Sequence, residues 1–377
     1  MSQGERPRIK FGKPLISDKA RAAVADSLKN RQLTNGGVVR QFEEEFSQFI
    51  GGGDAIAVSS CTAALYLAMK ALDIGPGDEV VVPAQTFVAC AHAVEAVGAR
   101  PVFVDVWPDS GVMDPALFEK AITPKTKAVM PVHYAGRPAY MGTILDIARR
   151  HNLRVIEDCA TALGATHSGK HVGLLGDVGC FSFHPVKHIT TAEGGMVVTT
   201  NAELGERIRR MREFGKKTNP YGYSWEMYDI VDWGFNFRMT EMQATLGINQ
   251  LFHLPYRLKA REMNWRALTE LLKGFTFLET RGAWYAFIVV LPDHLDQADI
   301  RQKLAAAHVE TSVYYPGPLP LLTYYRKKYN HTDGQFPNAE RIAKKSIAFS
   351  VGPHLGTDLI RDMAERFIAI AGEGQKQ

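Results

Sequence analysis

Lys187 lies in FSFHPVKHITTAEGGMVVTT, residues 181–200, in the segment joining two apolar strand-like stretches, with histidines and hydroxyl side chains around it and a GG turn just beyond. Asp158 ends another such stretch, LRVIED, about one βα unit earlier, so both side chains can project at the same edge of a sheet. Taken singly, a lysine near a strand end is ordinarily solvated, and an aspartate after a strand ordinarily serves a turn. An ammonium and a carboxylate together suggest a shared ligand. Pyridoxal phosphate needs both groups, because its aldehyde forms an imine with a lysine and its ring nitrogen must stay protonated to withdraw electrons from a carbanion. Asp158 against that nitrogen favours the cationic ring, and the cationic ring favours a neutral amine on Lys187.

The phosphate of such a ligand also needs partners. In AVSSCTAALYLAMKAL a strand runs through Ser59, Ser60, Cys61 and Thr62 directly into a helix, presenting free backbone N–H groups and the positive end of the helix dipole. The same residues also read as a plain helix cap at Ser60 or Thr62. Ser182, close to Lys187, can add a hydroxyl or be an ordinary strand serine. Phe87, in VPAQTFVAC, follows a strand at the start of a helix and reads either as a ring that stacks on the ligand or as core. His184 and His188 read either as assisting groups or as structural or solvated histidines.

Stepping along the chain from about residue 15 to 215, amphipathic helical stretches alternate with AIAV, EVVVP, PVFVDV, KAVMPVH, LRVIED, GCFSF and GMVVTT. That rhythm predicts an α/β domain with a mostly parallel sheet covered on both faces, with ligands at the carboxyl ends of its strands. MTEMQATLGINQL and RLKAREMNWRALTELLKG read as helices. A boundary is expected near 250, giving a large domain over 1–250 and a smaller C-terminal α/β domain over 251–377. The formal charge of +4 is too small and dispersed for a nucleic-acid footprint. MSQGERPRIKFG has no apolar core of signal-peptide length and no later run approaches a membrane span, so a cytoplasmic protein is expected. Cys61, Cys90, Cys159 and Cys180 form no CxxC pair and are expected to be reduced thiols, with neither a disulfide nor a metal site.

Seven ordered blocks, QFEEEFSQFIG, SSCTAALYLAMKAL, GDEVVVPAQTFVACAHAV, GARPVFVDV, VIEDCATALGA, FSFHPVKHITTAEGGMVVT and GFNFRMTEMQATLGINQL, closely resemble the DegT/DnrJ/StrS family of sugar aminotransferases. The resemblance covers nearly the whole chain and implies the fold-type I pyridoxal-phosphate architecture. It implies that Lys187 is the Schiff-base lysine, Asp158 the partner of the pyridine nitrogen and Phe87 the stacking ring. Thr62, Ser182 and the Cys61 backbone become phosphate contacts, and Thr161 stands where a glutamine or histidine often meets the ring oxygen. Asn236 and Arg238, otherwise a turn residue and a surface ion-pair former, become groups that reach the neighbouring subunit's site, which implies a homodimer.

The reaction so implied moves nitrogen from an amino acid, glutamate by family analogy, to a keto group on a nucleotide-linked sugar. Alternatives are a ketocyclitol acceptor, a sugar dehydratase, in which histidine replaces the lysine, and a non-catalytic pyridoxal-phosphate regulator. Lys187 argues against the dehydratase. Cys61 replaces a frequent glycine or alanine, Tyr314 a common histidine, and AFSVGPHL lacks the usual Leu-Pro. Trp284, Tyr314 and Tyr315 read as acceptor-pocket or packing aromatics.

Overall fold

Short runs of Val, Ile and Phe bounded by Gly, Pro and Asp fold as strands buried on both faces, as in a sheet covered by helices. The computed structural model describes residues 7–218 and 228–373. Residues 1–6, part of the stretch expected to lack a leader, and 219–227, within the polar tract, lie outside the described residues. The strands are β1 (Asp54–Val58), β2 (Glu79–Pro83), β3 (Arg100–Val104), β4 (Thr126–Val129), β5 (Arg154–Asp158), β6 (Thr166–His167), β7 (Lys170–His171), β8 (Val178–Ser182) and β9 (Gly195–Thr199). Seven of them form one sheet in the order β1-β9-β8-β5-β4-β2-β3, and β6 and β7 form a separate hairpin. Within the large sheet β9 alone runs antiparallel to its neighbours.

Helices α1 (Asp18–Ser27), α2 (Gly37–Ile50), α3 (Cys61–Ala71), α4 (Ala89–Ala96), α5 (Pro115–Lys120), α6 (Met141–Arg150), α7 (Ala202–Arg212) and α8 (Glu241–Phe252) accompany this sheet. Both faces are filled. On β1, Ile56 and Val58 join the cluster that holds Leu65, Val94 and Ile144, whereas Ala55 and Ala57 join the one that holds Phe42, Phe46 and Leu251. That two-residue alternation is what a pleated strand between two helical layers requires. Helix α2 turns Val39, Phe42, Phe46 and Ile50 inward at helical spacing and stops at Gly51, whose φ of 89° suits glycine. Helix α8 begins with a capping box between Thr240 and Gln243. Its buried Glu241 accepts the amides of Gly36, Val38 and Val39, and so fixes the start of α2.

Beyond β10 (Lys216–Thr218) and β11 (Tyr228–Ile230), a three-stranded antiparallel sheet of β12 (Thr276–Phe277), β13 (Ala286–Val290) and β14 (Ser346–Ser350) packs with α9 (Leu254–Leu271), α10 (Gln297–Ala306) and α13 (Thr357–Glu373). Ile9 joins this third cluster from the far N-terminal side, paired with Val309. Conversely, Tyr325 of α11 (Thr323–Tyr329) and Ala339 of α12 (Pro337–Lys345) belong to the core of the large sheet. The amides of Asn338 and Ala339 bond the carboxylate of Asp105 at 2.9 Å each. Packing therefore crosses residue 250 in both directions.

His171, at the end of β7, is buried and held neutral: Nε2 accepts the Gly164 amide at 2.8 Å and Nδ1 donates to the Val172 carbonyl at 2.5 Å. Burial pushes its pKa from 6.5 down to about 4. The unfolded chain therefore takes up this proton first, and stability falls as pH drops from 6.5 towards 4. The expected loss from this residue reaches about 3 kcal/mol, and the denaturation midpoint of wild type relative to His171→Gln across that range measures it. A constant difference between the two proteins would remove His171 as the cause.

Candidate active site

The carboxyl ends of β5 and β8 lie side by side, with Asp158 opposite Cys180 and Ser182 opposite Gly195 of β9. The chain leaves β8 as a loop closed by its own hydroxyls: Thr190 Oγ1 donates to the Phe183 carbonyl at 3.0 Å and Thr191 Oγ1 to the Glu193 carbonyl at 2.7 Å. The hydroxyl residues beside Lys187 thus serve the turn. His188 is buried and its Nε2 donates to the Ala283 carbonyl at 2.8 Å, while His184 is exposed. Lys187 Nζ is 5.3 Å from the centre of the Tyr285 ring. Burial lowers the pKa of this amine, against an opposing pull from Asp158.

Asp158 is buried and held at both oxygens. Oδ1 accepts the Ala160 amide at 2.9 Å and Oδ2 the Cys90 thiol at 2.9 Å, and Thr86 Oγ1 is 3.1 Å from the same sulfur. Burial, with the carboxylate beside it, pushes the Cys90 thiol well up, so it stays a donor. No carboxylate lies within 4.0 Å of Lys187 and no cationic side chain within 4.0 Å of Asp158 among the described residues. The amine and carboxylate feel each other's field without touching.

Helix α3 starts beside them. Ser60 is its N-cap, with Oγ accepting the Ala63 amide at 3.1 Å, which leaves the Cys61 and Thr62 amides without an acceptor among the described residues. The cap and the phosphate seat read from the sequence are therefore compatible. Gly195 lies against this helix start: a Cβ there would sit 2.5 Å from the Ser60 carbonyl carbon and 2.7 Å from the Cys61 nitrogen. Gly195→Ala must displace the backbone of α3's first turn. Its expected cost is about 1–3 kcal/mol of stability, with weaker binding of pyridoxal phosphate, read by thermal unfolding and cofactor titration. Unchanged stability and affinity would show that this contact is loose.

Phe87 is 55% exposed, so it is not core, and its ring centre lies 5.9 Å from that of Tyr315 just ahead of α4. Thr161 is buried and its hydroxyl donates to the His133 carbonyl at 3.0 Å. Ser182 is half-buried, and Thr62 is exposed on the first turn of α3. Asn236 and Arg238 stay apart from Lys187: Asn236 bridges to Glu213, and Arg238 pairs with Glu213 at 3.5 Å while its guanidinium covers the Phe214 ring. Phe237 between them accepts the Ser59 amide at 2.9 Å, so this strip borders the start of α3.

Sequence reasoning missed Gln85, Tyr134 and Tyr285. Tyr134 OH donates to the Tyr314 carbonyl, and Gln85 Nε2 donates to the same oxygen at 2.6 Å. The Tyr285 ring lies 5.5 Å from that of Tyr314, which lies 5.6 Å from that of Tyr315. An aromatic wall thus runs from Lys187 to Phe87. Burial raises the pKa of Tyr134, Tyr285 and Tyr314, which stay protonated. For Tyr285 the only local signal was its place beside Trp284 in GAWYAF, which marks aromatic packing without a direction.

The half-buried Lys187 with its desolvated amine and the buried Asp158, neither with an ion-pair partner among the described residues, lie near two helix amides that are free among those residues, a set that fits pyridoxal phosphate. With this cluster at the carboxyl edge of a mostly parallel seven-stranded sheet, the class is a pyridoxal-phosphate-dependent transferase of fold type I. Residues 14–367 match the DegT/DnrJ/EryC1/StrS aminotransferase family. The chain is 35% identical to dTDP-3-amino-3,4,6-trideoxy-alpha-D-glucose transaminase of Streptomyces venezuelae, over 97% of this chain and 98% of that protein. It is 44% identical to GDP-perosamine synthase of Caulobacter vibrioides over 68% of each. The Spr1654 structure from Streptococcus pneumoniae in its PLP form superposes with a TM-score of 0.92 at 29% identity, covering 98% of this chain and 100% of that one. The chain belongs to the DegT/DnrJ/EryC1/StrS aminotransferase family and is an aminotransferase.

Proposed function

We propose that this enzyme transfers an amino group from glutamate to the keto group of a nucleotide-linked sugar, at two sites shared across a homodimer. The observation that carries the reading is the desolvated Lys187 amine, within the field of Asp158 and without an ion-pair partner among the described residues, in a chain of this family. The names of relatives that act on dTDP- and GDP-linked sugars support the acceptor class. When bound, pyridoxal phosphate supplies an electron sink for negative charge at the donor's α-carbon.

The residues have distinct tasks. Lys187 Nζ is the group that would hold the cofactor's aldehyde, and as a free amine it would carry the proton taken from the donor's α-carbon. Its lowered pKa keeps a fraction neutral for that work. Asp158, fixed by Ala160 and Cys90, keeps the ring nitrogen protonated. Thr62, Ser182 and the Cys61 amide would hold the phosphate, and Phe87 would cover the ring. Thr161, whose hydroxyl proton is engaged by the His133 carbonyl, is left as an acceptor or water-bridged neighbour of the ring oxygen. Asn236 and Arg238 reach into the partner's site. All these groups fall within 1–250, the proposed cofactor domain, while 251–377 supplies the Tyr285, Tyr314 and Tyr315 rings beside them.

The homodimer has physical support in an apolar strip next to these trans-acting residues. Ile230, Val231, Trp233 and Phe235 are each between 46% and 57% exposed, and Trp233 and Phe235 stack at 6.3 Å beside the start of α3. A strip of that kind is where a second copy gains most from burial. Mixing unfolded Lys187→Ala and Arg238→Ala subunits and refolding them together is expected to restore roughly a quarter of wild-type activity, because random pairing makes hybrids with one intact site. No recovery, with hybrids verified by mass, would place Arg238 outside the shared site.

No helix among the described residues is long and apolar enough to cross a membrane, and we place the enzyme in the cytoplasm with its nucleotide-sugar supply. The deciding assay pairs the holoenzyme with glutamate and a panel of keto-sugar nucleotides and ketocyclitols, following 2-oxoglutarate and the aminated product. Turnover with a cyclitol alone would overturn the acceptor assignment.

A further inference from the structure

Helix α9 carries Arg257 and Arg261 one turn apart, 7% and 8% exposed, and neither has a carboxylate within 4.0 Å among the described residues. Their partners are neutral. Arg257 donates to Gln250 Oε1 at 2.5 Å and to the Leu15 carbonyl at 2.7 Å, and Arg261 donates to the Tyr285 carbonyl at 3.2 Å. The Nε of Arg261 is buried with no hydrogen-bond partner among the described residues. Burial pushes the Arg261 guanidinium down only to about 10, so it remains charged at neutral pH. Two like charges in a water-poor interior repel each other and lack the compensation that buried ions need.

Both arginines line a small pocket of about 40 Å³, open to solvent at the exposed Gly12, Lys13 and Pro14, that also meets Lys187, His188 and His354. Burial holds the two histidines towards their neutral forms, and among the described residues neither aspartate nor glutamate reaches the cavity wall. All formal charge facing this space is positive. We propose that the cavity is an anion site that binds one small monoanion, a carboxylate group or a halide, between Arg257 and Arg261. Its size admits one such group or a few waters and excludes a sugar phosphate. An anion there satisfies the idle Nε and offsets the like-charge repulsion.

Two sources share this chemistry. Because Lys187 lines the same cavity, an amino-acid donor reacting at Lys187 can bring its own carboxylate; a free halide from solvent is the other source. The site is inferred from the cationic cluster alone, while the donor source rests on the proposed function.

Crystals of the holoenzyme soaked in sodium bromide test it directly. The expected result is an anomalous peak in hydrogen-bond contact with both guanidinium groups. An empty site at saturating soak, or a carboxylate of the partner subunit already seated there, overturns the proposal. Kinetics at constant ionic strength, bromide against bulky gluconate, then separate the sources: a competitive rise in donor KM assigns the site to the donor's carboxylate, and a bromide peak without that rise assigns it to a free ion. In thermal-shift titrations Arg257→Lys is expected to weaken bromide binding about tenfold through loss of the fork. The exposed Lys13→Met, which leaves the core intact, is expected to weaken it several-fold by removing one charge. Unchanged bromide affinity in Lys13→Met and in any folded Arg257→Lys overturns the site.

Discussion

Lys187→Ala is expected to lose turnover by about 10⁴-fold or more and to leave no cofactor attached to its peptide after borohydride reduction. Two functions disappear with one side chain, the covalent anchor and the proton carrier, and nothing nearby replaces either. His188 is committed to the Ala283 carbonyl, and the Cys90 thiol, pushed up by burial, is committed to Asp158. Thermal unfolding separates chemistry from folding. Because burial lowers the amine's pKa, the unfolded chain holds this proton more tightly than the folded one. The contribution of Lys187 to apoprotein stability therefore worsens as pH falls from the unfolded pKa through the folded one, and removing the amine is expected to leave the apoprotein at least as stable at neutral pH. A small exogenous amine should restore part of the proton transfer. An active, fully modified Lys187→Ala protein would show that another lysine does the work.

Asp158→Asn is expected to lower kcat by about 10³-fold while changing donor KM little, because the substitution keeps the shape and removes the charge. An asparagine oxygen can still accept the Ala160 amide, and its amino group would face Cys90 in place of Oδ2. The ring nitrogen then has no carboxylate to hold its proton, and the electron sink weakens. A cofactor methylated at that nitrogen, cationic without help, distinguishes this cause from lost geometry: it should recover much of the lost rate in Asp158→Asn. Failure of that recovery, or a rate within tenfold of wild type, would take Asp158 away from the ring nitrogen.

The strands were legible because their burial on both faces leaves a signature of short Val and Ile runs, as in EVVVP, whose Val80, Val81 and Val82 are fully buried. Lys187 and Asp158 were legible as a pair because adjacent parallel strands put their carboxyl ends together without any long-range information. Other parts were not. The hydroxyls of Thr190 and Thr191 beside Lys187 close a turn, and Phe87 could be read as core but is exposed. Gln85 meets the Tyr314 carbonyl across 229 positions, and Tyr134 meets it across 180, contacts that no local period encodes.

Residue types and their periods, on their own, determined the alternating α/β layout and the shared sheet edge at which Lys187 and Asp158 lie, because each depends on neighbours in sequence or on strand direction. Tertiary structure alone decided the aromatic wall, the grip of Cys90 on Asp158, the antiparallel β9 beside α3 and the unpaired arginines of α9. Those features arise where distant segments meet, and a side chain's partners and charge balance exist only after the intervening chain has folded back.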